Sequence, residues 1–514
     1  MAEPRPQSIG ATAVRSTRWV ILEKWLGRTV SLVVFAILAR ILTPEAYGVV
    51  MLANVFTVIL TSVVQQGFAK TIVQRPKISA VDIDTTFWTS LLLGIAIYAA
   101  LFFASPLIAA GYDEPILTWI LRALGINVVV MAIASVQVGL LERSFDFRAL
   151  AVRQVGGIVA GGSLGIGVAV LGGGPWALVA QMLGTSVIGC AILWIRSSWR
   201  PRFKFSLASL RDLWALNMFI LGSEVISATS NQLDNLIVGT FFGTTALGYY
   251  YVALRAANIV VELVTAVVGR VSFSTFARLQ YDRSRIHRAF SLMTLGTSMS
   301  SLPVLAFLAV AAPEAITLIF GDKWEPSAPL LTVLAVAFSL SVVTRADRVV
   351  LLALGHTAAG FRMSLTRQGL GAALLFAAVP FGVMAIPWAR VARALITWPM
   401  RMYSLKKYTG MGLHVYGGPF LRVGLPVALA AGLTVATRPL LDEMTSLPRL
   451  LTLACIFAAA CAVTLLLLAR PQLREARSVL GSARRPGGPP NQRSTEREHR
   501  SAAQDRAPAD QDEA

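Results

Sequence analysis

About fourteen apolar runs of roughly 20 residues each, separated by short polar loops, leave this chain little choice of fold. A run of that length crosses a hydrocarbon core only as a helix, because a helix satisfies its own backbone donors and acceptors where no water can. The runs fall near 19–42, 46–66, 86–110, 115–140, 150–172, 175–195, 212–242, 245–272, 288–312, 327–354, 360–380, 383–403, 419–438 and 448–469. The expected class is an all-α polytopic membrane protein. The turns at Thr43–Ala46, Gly172–Pro175 and Gly243–Thr245 are very short, which makes those helix pairs antiparallel hairpins.

Composition agrees. Hydrophobic residues make up 55% of the chain and charged residues only 14%, far from a soluble balance. The formal net charge of +19 would suit nucleic acid, but the basic residues cluster at helix ends on one side, so no nucleic-acid partner is expected. Cys190, Cys455 and Cys461 lie in apolar spans without CxxC spacing, which indicates neither disulfides nor zinc. His287, His356, His414 and His499 form no ligand cluster. There is no P-loop and no HExxH. No cofactor, metal or catalytic residue is therefore expected. Met1–Arg18 is polar, and the apolar run behind it is too long for a cleavable signal.

The loop charges orient the chain. One set holds Arg15/Arg18, Lys70/Arg75/Lys77, Arg143/Arg148/Arg153, Arg196/Arg200/Arg202/Lys204, Arg278/Arg283/Arg285/Arg288, Arg362/Arg367 and Arg401/Lys406/Lys407. The alternate set holds Glu45, Asp113/Glu114, Asp322/Lys323/Glu325 and Asp442/Glu443. The basic set belongs in the cytoplasm, so both termini are expected inside.

A weak internal repeat runs through this pattern. Ile37–Gly48 (ILARILTPEAYG) aligns without a gap on Ile237–Gly248 (IVGTFFGTTALG), sharing Ala-x-Gly at Ala46–Gly48 and Ala246–Gly248, and Lys70 falls opposite Arg270. Such an echo marks a transporter made of two similar bundles. The expected organisation is a cytoplasmic segment 1–18, an N-lobe 19–196 of six spans and a basic amphipathic linker 197–212. A C-lobe 213–403 of six spans, spans thirteen and fourteen within 404–470, and a disordered cytoplasmic tail 471–514 follow. An even number of spans per lobe gives both the same orientation, related by a pseudo-twofold axis along the membrane normal.

Two local motifs need sorting. Gly161-Gly-Ser163-Leu-Gly165 matches the hydrolase pattern G-x-S-x-G, which requires a strand-to-helix elbow. Here it lies inside a span beside Gly157, so Gly157, Gly161 and Gly165 read as a helix-packing ridge. Pro303 and Pro387 are expected to kink their helices.

Over roughly residues 18–440 the chain resembles the polysaccharide flippases of the multidrug/oligosaccharidyl-lipid/polysaccharide exporter superfamily, particularly the colanic-acid-type lipopolysaccharide translocases. The matching stretches are Leu42–Gly48 (LTPEAYG), Ile72–Arg75 (IVQR), Thr86–Trp88 (TFW), Leu140–Phe147 (LLERSFDF), Trp176–Gln181 (WALVAQ), Trp199–Ser206 (WRPRFKFS), Asn231–Gly239 (NQLDNLIVG), Ala246–Arg255 (ALGYYYVALR) and Phe320–Trp324 (FGDKW). Where relatives place an acidic residue at the end of span two, this chain has Gln66-Gly67. The resemblance implies a MATE-like arrangement in the bacterial inner membrane. It also implies a lipid-linked oligosaccharide, carried on a polyprenyl pyrophosphate, as the substrate. A polysaccharide polymerase and a chain-length regulator are the protein partners it would suggest, beside the membrane lipids.

Charges inside spans are costly and mark candidate sites. Asp234 lies about ten residues before the Phe242–Gly248 turn and Arg255 about ten after it. At 1.5 Å rise both sit about 15 Å below the turn, which pairs them as either a structural lock or a substrate-facing cation held by a carboxylate. Val34 and Val55 stand at the repeat-equivalent positions. Lys24 and Arg28 share a face of span one, with Glu262 at similar depth; they read as snorkelling residues or as a pyrophosphate receptor. Arg122, about 12 Å into span four, reads as a release-side cation or a snorkelling residue. Arg345, Asp347 and Arg348 read as an interfacial salt-bridge set. Two other functions fit parts of this pattern. A cation-coupled multidrug exporter would want a cavity dominated by carboxylates. A membrane saccharide polymerase or transferase would want a large external loop.

Overall fold

A computed structural model describes residues 25–74, 78–144, 146–278, 283–342, 347, 350–351, 354 and 357–468. Both chain ends, the N-terminal segment through Lys24 and the tail from 471, lie outside the described residues.

Every secondary-structure element among the described residues is helical. Helix α1 covers 25–41, and α2 (Pro44–Gln74), α3 (Ala80–Gly111), α4 (Pro115–Arg143), α5 (Phe147–Val170) and α6 (Trp176–Arg196) follow. Then come α7 (Leu207–Arg278), α8 (Arg283–Val310), the short α9 (Ala312–Phe320) and α10 (Ser327–Val342). The last four are α11 (Thr357–Ala378), α12 (Ala385–Thr409), α13 (Leu413–Thr437) and α14 (Ser446–Leu468). Among the described residues nine helices are long and apolar enough to cross a membrane, and one of these stretches, Gly222–Glu262, contains two arms.

Those arms are halves of α7, which breaks at Gly243, where φ is 83° and ψ is 175°. Only glycine takes that conformation without strain, so the chain folds back there as the glycine turn predicts. Other ends obey ordinary capping chemistry. The Ser79 hydroxyl accepts from the Asp82 amide at 3.1 Å and the Asp82 carboxylate accepts from the Ser79 amide at 2.9 Å, a capping box that starts α3. Gly410, in the left-handed region at φ 73°, ends α12.

Three expectations shift. Helix α7 begins at Leu207, so the linker shrinks to 197–206 and its last part is helical. Pro387 sits in the first turn of α12, where its missing N–H has no intrahelical partner to lose, so it starts the helix instead of kinking it. Pro313, at the first turn of α9, opens a short helix in what reads as a loop.

The packing centre is a seam between α2 and the hairpin of α7. Gly48 and Gly248 meet it in the same way. A Cβ on Gly48 would lie 1.7 Å from the Thr244 carbonyl oxygen, and one on Gly248 would lie 2.0 Å from that of Pro44. Both contacts need a bare backbone. Around this seam Phe35, Tyr47, Tyr249, Phe320 and Trp324 pack edge-to-face, with Tyr47–Trp324 centroids 5.4 Å apart.

Helices α5 and α6 form a second close pair. A Cβ on Gly157, Gly161 or Gly165 would fall 2.6, 2.3 and 2.5 Å from atoms of Thr185 and Gln181 on α6. The glycines are a packing ridge, as their spacing predicts. Helices α13 and α14 pack on α8 through Leu295, Leu302, Phe420, Val423 and Phe457. Buried Glu314 of α9 ties them down through Arg438 at 2.8 Å and Arg449 at 3.1 Å.

Candidate functional site: a cationic cavity and a polar seam

A cavity of about 530 Å³ opens between both arms of α7 and helices α10, α11 and α12. Its walls carry Arg367, Arg390, Arg393 and Arg401, and among the described residues Asp234 is the one lining carboxylate. Ser230, Asn231, Asn258, Ser364 and Gln368 add neutral donors and acceptors. The spacing on α12 explains the concentration of charge. Positions 390, 393, 397 and 401 are separated by whole helical turns or nearly so, and therefore share one face.

Asp234 is 2% exposed. Its Oδ2 accepts from the Arg390 Nε and, at 2.9 Å, from the fully buried Tyr250 hydroxyl. The Arg390 guanidinium also lies 5.7 Å from the Phe338 ring centroid. Arg401 pairs with buried Asp347 at 3.4 Å. Arg393 differs from both, having no carboxylate within ion-pair distance among the described residues. It lies flat against α11, where a Cβ on Gly371 would come 2.8 Å from one of its terminal nitrogens. On the same helix the Gln368 Oε1 accepts from the Ser230 hydroxyl of α7 at 2.6 Å, and the Gln368 amide donates to Ser364 Oγ at 3.1 Å.

The Asp234–Arg255 pair expected from depth does not form. Arg255 comes five residues after Tyr250, about 140° further round the helix. Tyr250 faces Asp234, so Arg255 is turned away and donates instead to Ser31 of α1 at 3.1 Å. The helix face decided the partner.

Arg255 belongs to a second polar group, a seam between α1 and α7. Arg28 pairs with Glu262 at 3.1 Å and also donates to the Glu262 carbonyl at 3.0 Å. Arg28, Ser31, Arg255 and Glu262 thus stitch two helices more than 200 positions apart in the chain. Lys24 lies outside the described residues. Arg122 reaches neither group. Its Nε donates to Ser105 Oγ at 3.1 Å and its guanidinium stacks on the Phe102 and Trp119 rings at 4.2 and 5.2 Å. Of the interfacial set, Asp347 is the Arg401 partner; Arg345 and Arg348 lie outside the described residues.

Sequence reasoning missed Arg390, Arg393 and Gln368. The signal was present in Ala385–Arg401 (AIPWARVARALITWPMR), an otherwise apolar run with arginines three apart, which by the cost of intramembrane charge marks a wet or partnered face.

The arrangement can hold an anion. Arginine presents donors in a planar fork that matches phosphate or carboxylate oxygens, and Arg393 has its fork unclaimed by any carboxylate. Among the described residues no group of His, Cys, Asp and Glu could hold a metal ion.

Residues 37–329 match the protein family described as "Polysaccharide biosynthesis protein". The teichuronic acid biosynthesis protein TuaB of Bacillus subtilis (strain 168) is 27% identical over 477 residues, covering 91% of this chain and 98% of that protein. The succinoglycan biosynthesis transport protein ExoT of Rhizobium meliloti (strain 1021) is 27% identical over 434 residues, 84% of this chain and 85% of its own length. Among solved structures, the lipid II flippase MurJ in an inward closed conformation superposes with a TM-score of 0.69 at 13% identity, over 90% of this chain and 100% of that one.

Proposed function

Because this chain belongs to the polysaccharide biosynthesis protein family, we propose that it flips a polyprenyl-pyrophosphate-linked oligosaccharide across the bacterial inner membrane by alternating access. It is a transporter, not an enzyme. The observation that carries the reading is Arg393: a cavity cation with no carboxylate within ion-pair distance among the described residues, beside the paired Arg390 and Arg401, in a place where uncompensated charge is costly. A pyrophosphate or an acidic sugar supplies the missing counter-charge. A multidrug exporter for cations would need the opposite balance. A polymerase would need a large external catalytic loop, and the inter-helix segments between described helices are short.

The finer organisation follows from the repeat. Fourteen spans, in two lobes of six related by a pseudo-twofold axis plus two C-terminal helices, account for the 200-residue echo. The mirrored approach of Gly48 to Thr244 and of Gly248 to Pro44 supports this reading, since each contact maps onto the other by adding or subtracting 200. The basic loops put both termini in the cytoplasm. The α1–α7 seam then lies between the lobes, where Arg28 and Arg255 could exchange their present partners for a phosphate during transport. A polysaccharide polymerase and a chain-length regulator are the partners such a step requires downstream.

The test is flipping of a fluorescent lipid-linked oligosaccharide in proteoliposomes. Arg393→Gln should lower the rate about tenfold or more at normal abundance, and Arg393→Lys should fall between, keeping charge without the fork. Wild-type flipping by a well-folded Arg393→Gln protein would remove the cavity from the substrate path.

A further inference from the structure

The segment between α6 and α7, residues 197–206, carries exposed side chains that belong neither to the cavity nor to the α1–α7 seam. Its backbone is pinned. The Arg202 amide donates to Asp84 Oδ1 at 3.2 Å, the Trp88 indole donates to the Arg202 carbonyl at 2.9 Å, and the Ser206 amide donates to Thr85 Oγ1 at 3.1 Å. Asp84 and Thr85 are buried at the start of α3, so this loop is fixed to the N-terminal half of the molecule.

The fixed backbone makes a tip. The Lys204 amide donates to the Arg202 carbonyl at 2.8 Å, closing a three-residue turn with Phe203 at its apex. Phe203 is 91% exposed, although one face of its ring stacks on Trp88 at 4.9 Å. Arg202 and Lys204 flank it, both exposed and both without a partner among the described residues. Arg200, by contrast, is spent on the carbonyls of Trp194, Ser197 and Trp199. Ile195, Phe205 and Leu207 extend the exposed apolar surface on either side.

We propose that this tip is a docking site for an anionic phospholipid of the cytoplasmic leaflet. An aromatic apex between two unpaired cations fits the boundary between acyl chains and charged headgroups: the ring enters the apolar edge while the ammonium and guanidinium meet phosphate. A soluble acidic partner would match the cations but leave Phe203, Phe205 and Leu207 in water. A zwitterionic lipid would match the ring but not the charge. The site rests on the topology that puts loop 197–206 in the cytoplasm. It does not depend on the identity of the cargo, and its test does not require transport.

Full-length protein is purified in detergent, and its thermal midpoint and retained lipids are measured with added phosphatidylglycerol or phosphatidylcholine, the latter by native mass spectrometry. Wild type should gain several degrees with phosphatidylglycerol over phosphatidylcholine and retain it preferentially. The double variant Arg202→Gln/Lys204→Gln should keep the midpoint of wild type in phosphatidylcholine, lose most of the gain, and hold phosphatidylglycerol about tenfold more weakly. Phe203→Ser should weaken both lipids. Lys406→Gln/Lys407→Gln, exposed cations at the end of α12, is the control and should keep the gain. Full retention of the gain by the Arg202/Lys204 variant overturns the site. Equal loss in the Lys406/Lys407 control also overturns it, because the attraction would then be general charge.

Discussion

Arg40 closes the end of α9, and Lys323, three residues past that end, closes the end of α1. Arg40, at the end of α1, donates to the Leu318 and Ile319 carbonyls that α9 leaves unpaired, the latter at 3.0 Å. Lys323 donates back to the Arg40 carbonyl at 2.8 Å, and the buried Trp324 indole donates to the Ala39 carbonyl at 2.8 Å. Helix C-termini always leave carbonyls without intrahelical partners. Here each terminus satisfies the other, so the FGDKW stretch acts as a clasp across the packing seam. Partial burial lowers the Lys323 pKa below the usual lysine value, the cost of holding an ammonium against the clasp.

Trp324→Phe should loosen this clasp while keeping an aromatic ring in its pocket. A phenyl ring stays but the indole N–H goes, leaving the Ala39 carbonyl unpaired at a cost of about 1–3 kcal/mol, with a further cost for the volume lost in a fully buried site. Thermal denaturation should show a lowered midpoint. Spin labels placed across the seam should show a larger fraction with this end apart. An unchanged distance distribution would mean the clasp does not hold the seam.

Gly48→Ala and Gly248→Ala should be equally damaging, because both meet backbone. A side chain in the way could rotate, whereas a carbonyl must be pushed aside, so the loss should exceed the about 1–3 kcal/mol of ordinary overpacking. Gly432→Ala, with no atom within 4 Å of its built Cβ, is the control. A large difference between the first two would show that the two contacts are not equivalent.

Asp234→Ala should lower abundance sharply, since it strands Arg390 in a buried site, at about 3–5 kcal/mol. Asp234→Asn with Arg390→Gln should recover much of it. Asp234→Asn with Arg255→Gln should not, because Arg255 bonds to Ser31 and not to Asp234. Membrane abundance and thermal midpoint of the four proteins test this directly; recovery by the second pair would restore the depth-based pairing.

The topology has its own check. Single cysteines at Leu171 and Thr445 should react with an impermeant thiol reagent added outside intact cells. Cysteines at Ser79, Lys204 and Lys407 should react only after the membrane is opened. Outside labelling at Lys204 would also remove the lipid site from the cytoplasmic leaflet.

Helix positions and hairpins were largely legible because they depend on one dimension, run length and glycine turns; Pro313 and Pro387 as helix starts were not read. The Gly157/Gly161/Gly165 ridge was legible for the same reason, its spacing being the whole argument. The Asp234 partner was not, because two helices at the same depth still have to face each other, and Arg390 comes from a helix 156 positions on. The asymmetry was half visible. Val34 stands at the position equivalent to Asp234, and there it fills space against Gly162, whose Cβ would fall 2.5 Å from it. That the second half of the molecule leaves space where the first half is filled depends on side chains of α11 and α12, which the aligned stretch 37–48/237–248 does not reach.

Gly371 has a consequence of a different kind. The Arg393 side chain rests on it because nothing projects there, and a Cβ would crowd both a terminal nitrogen and the Cδ at under 3 Å. A flexible side chain yields to such pressure more cheaply than a backbone does. A one-base change from glycine to alanine would therefore shift the cation toward the cavity centre by about the width of a methyl group while leaving the net charge untouched. This position is an adjustable point behind the arginine, able to move its charge without changing the helices that carry it.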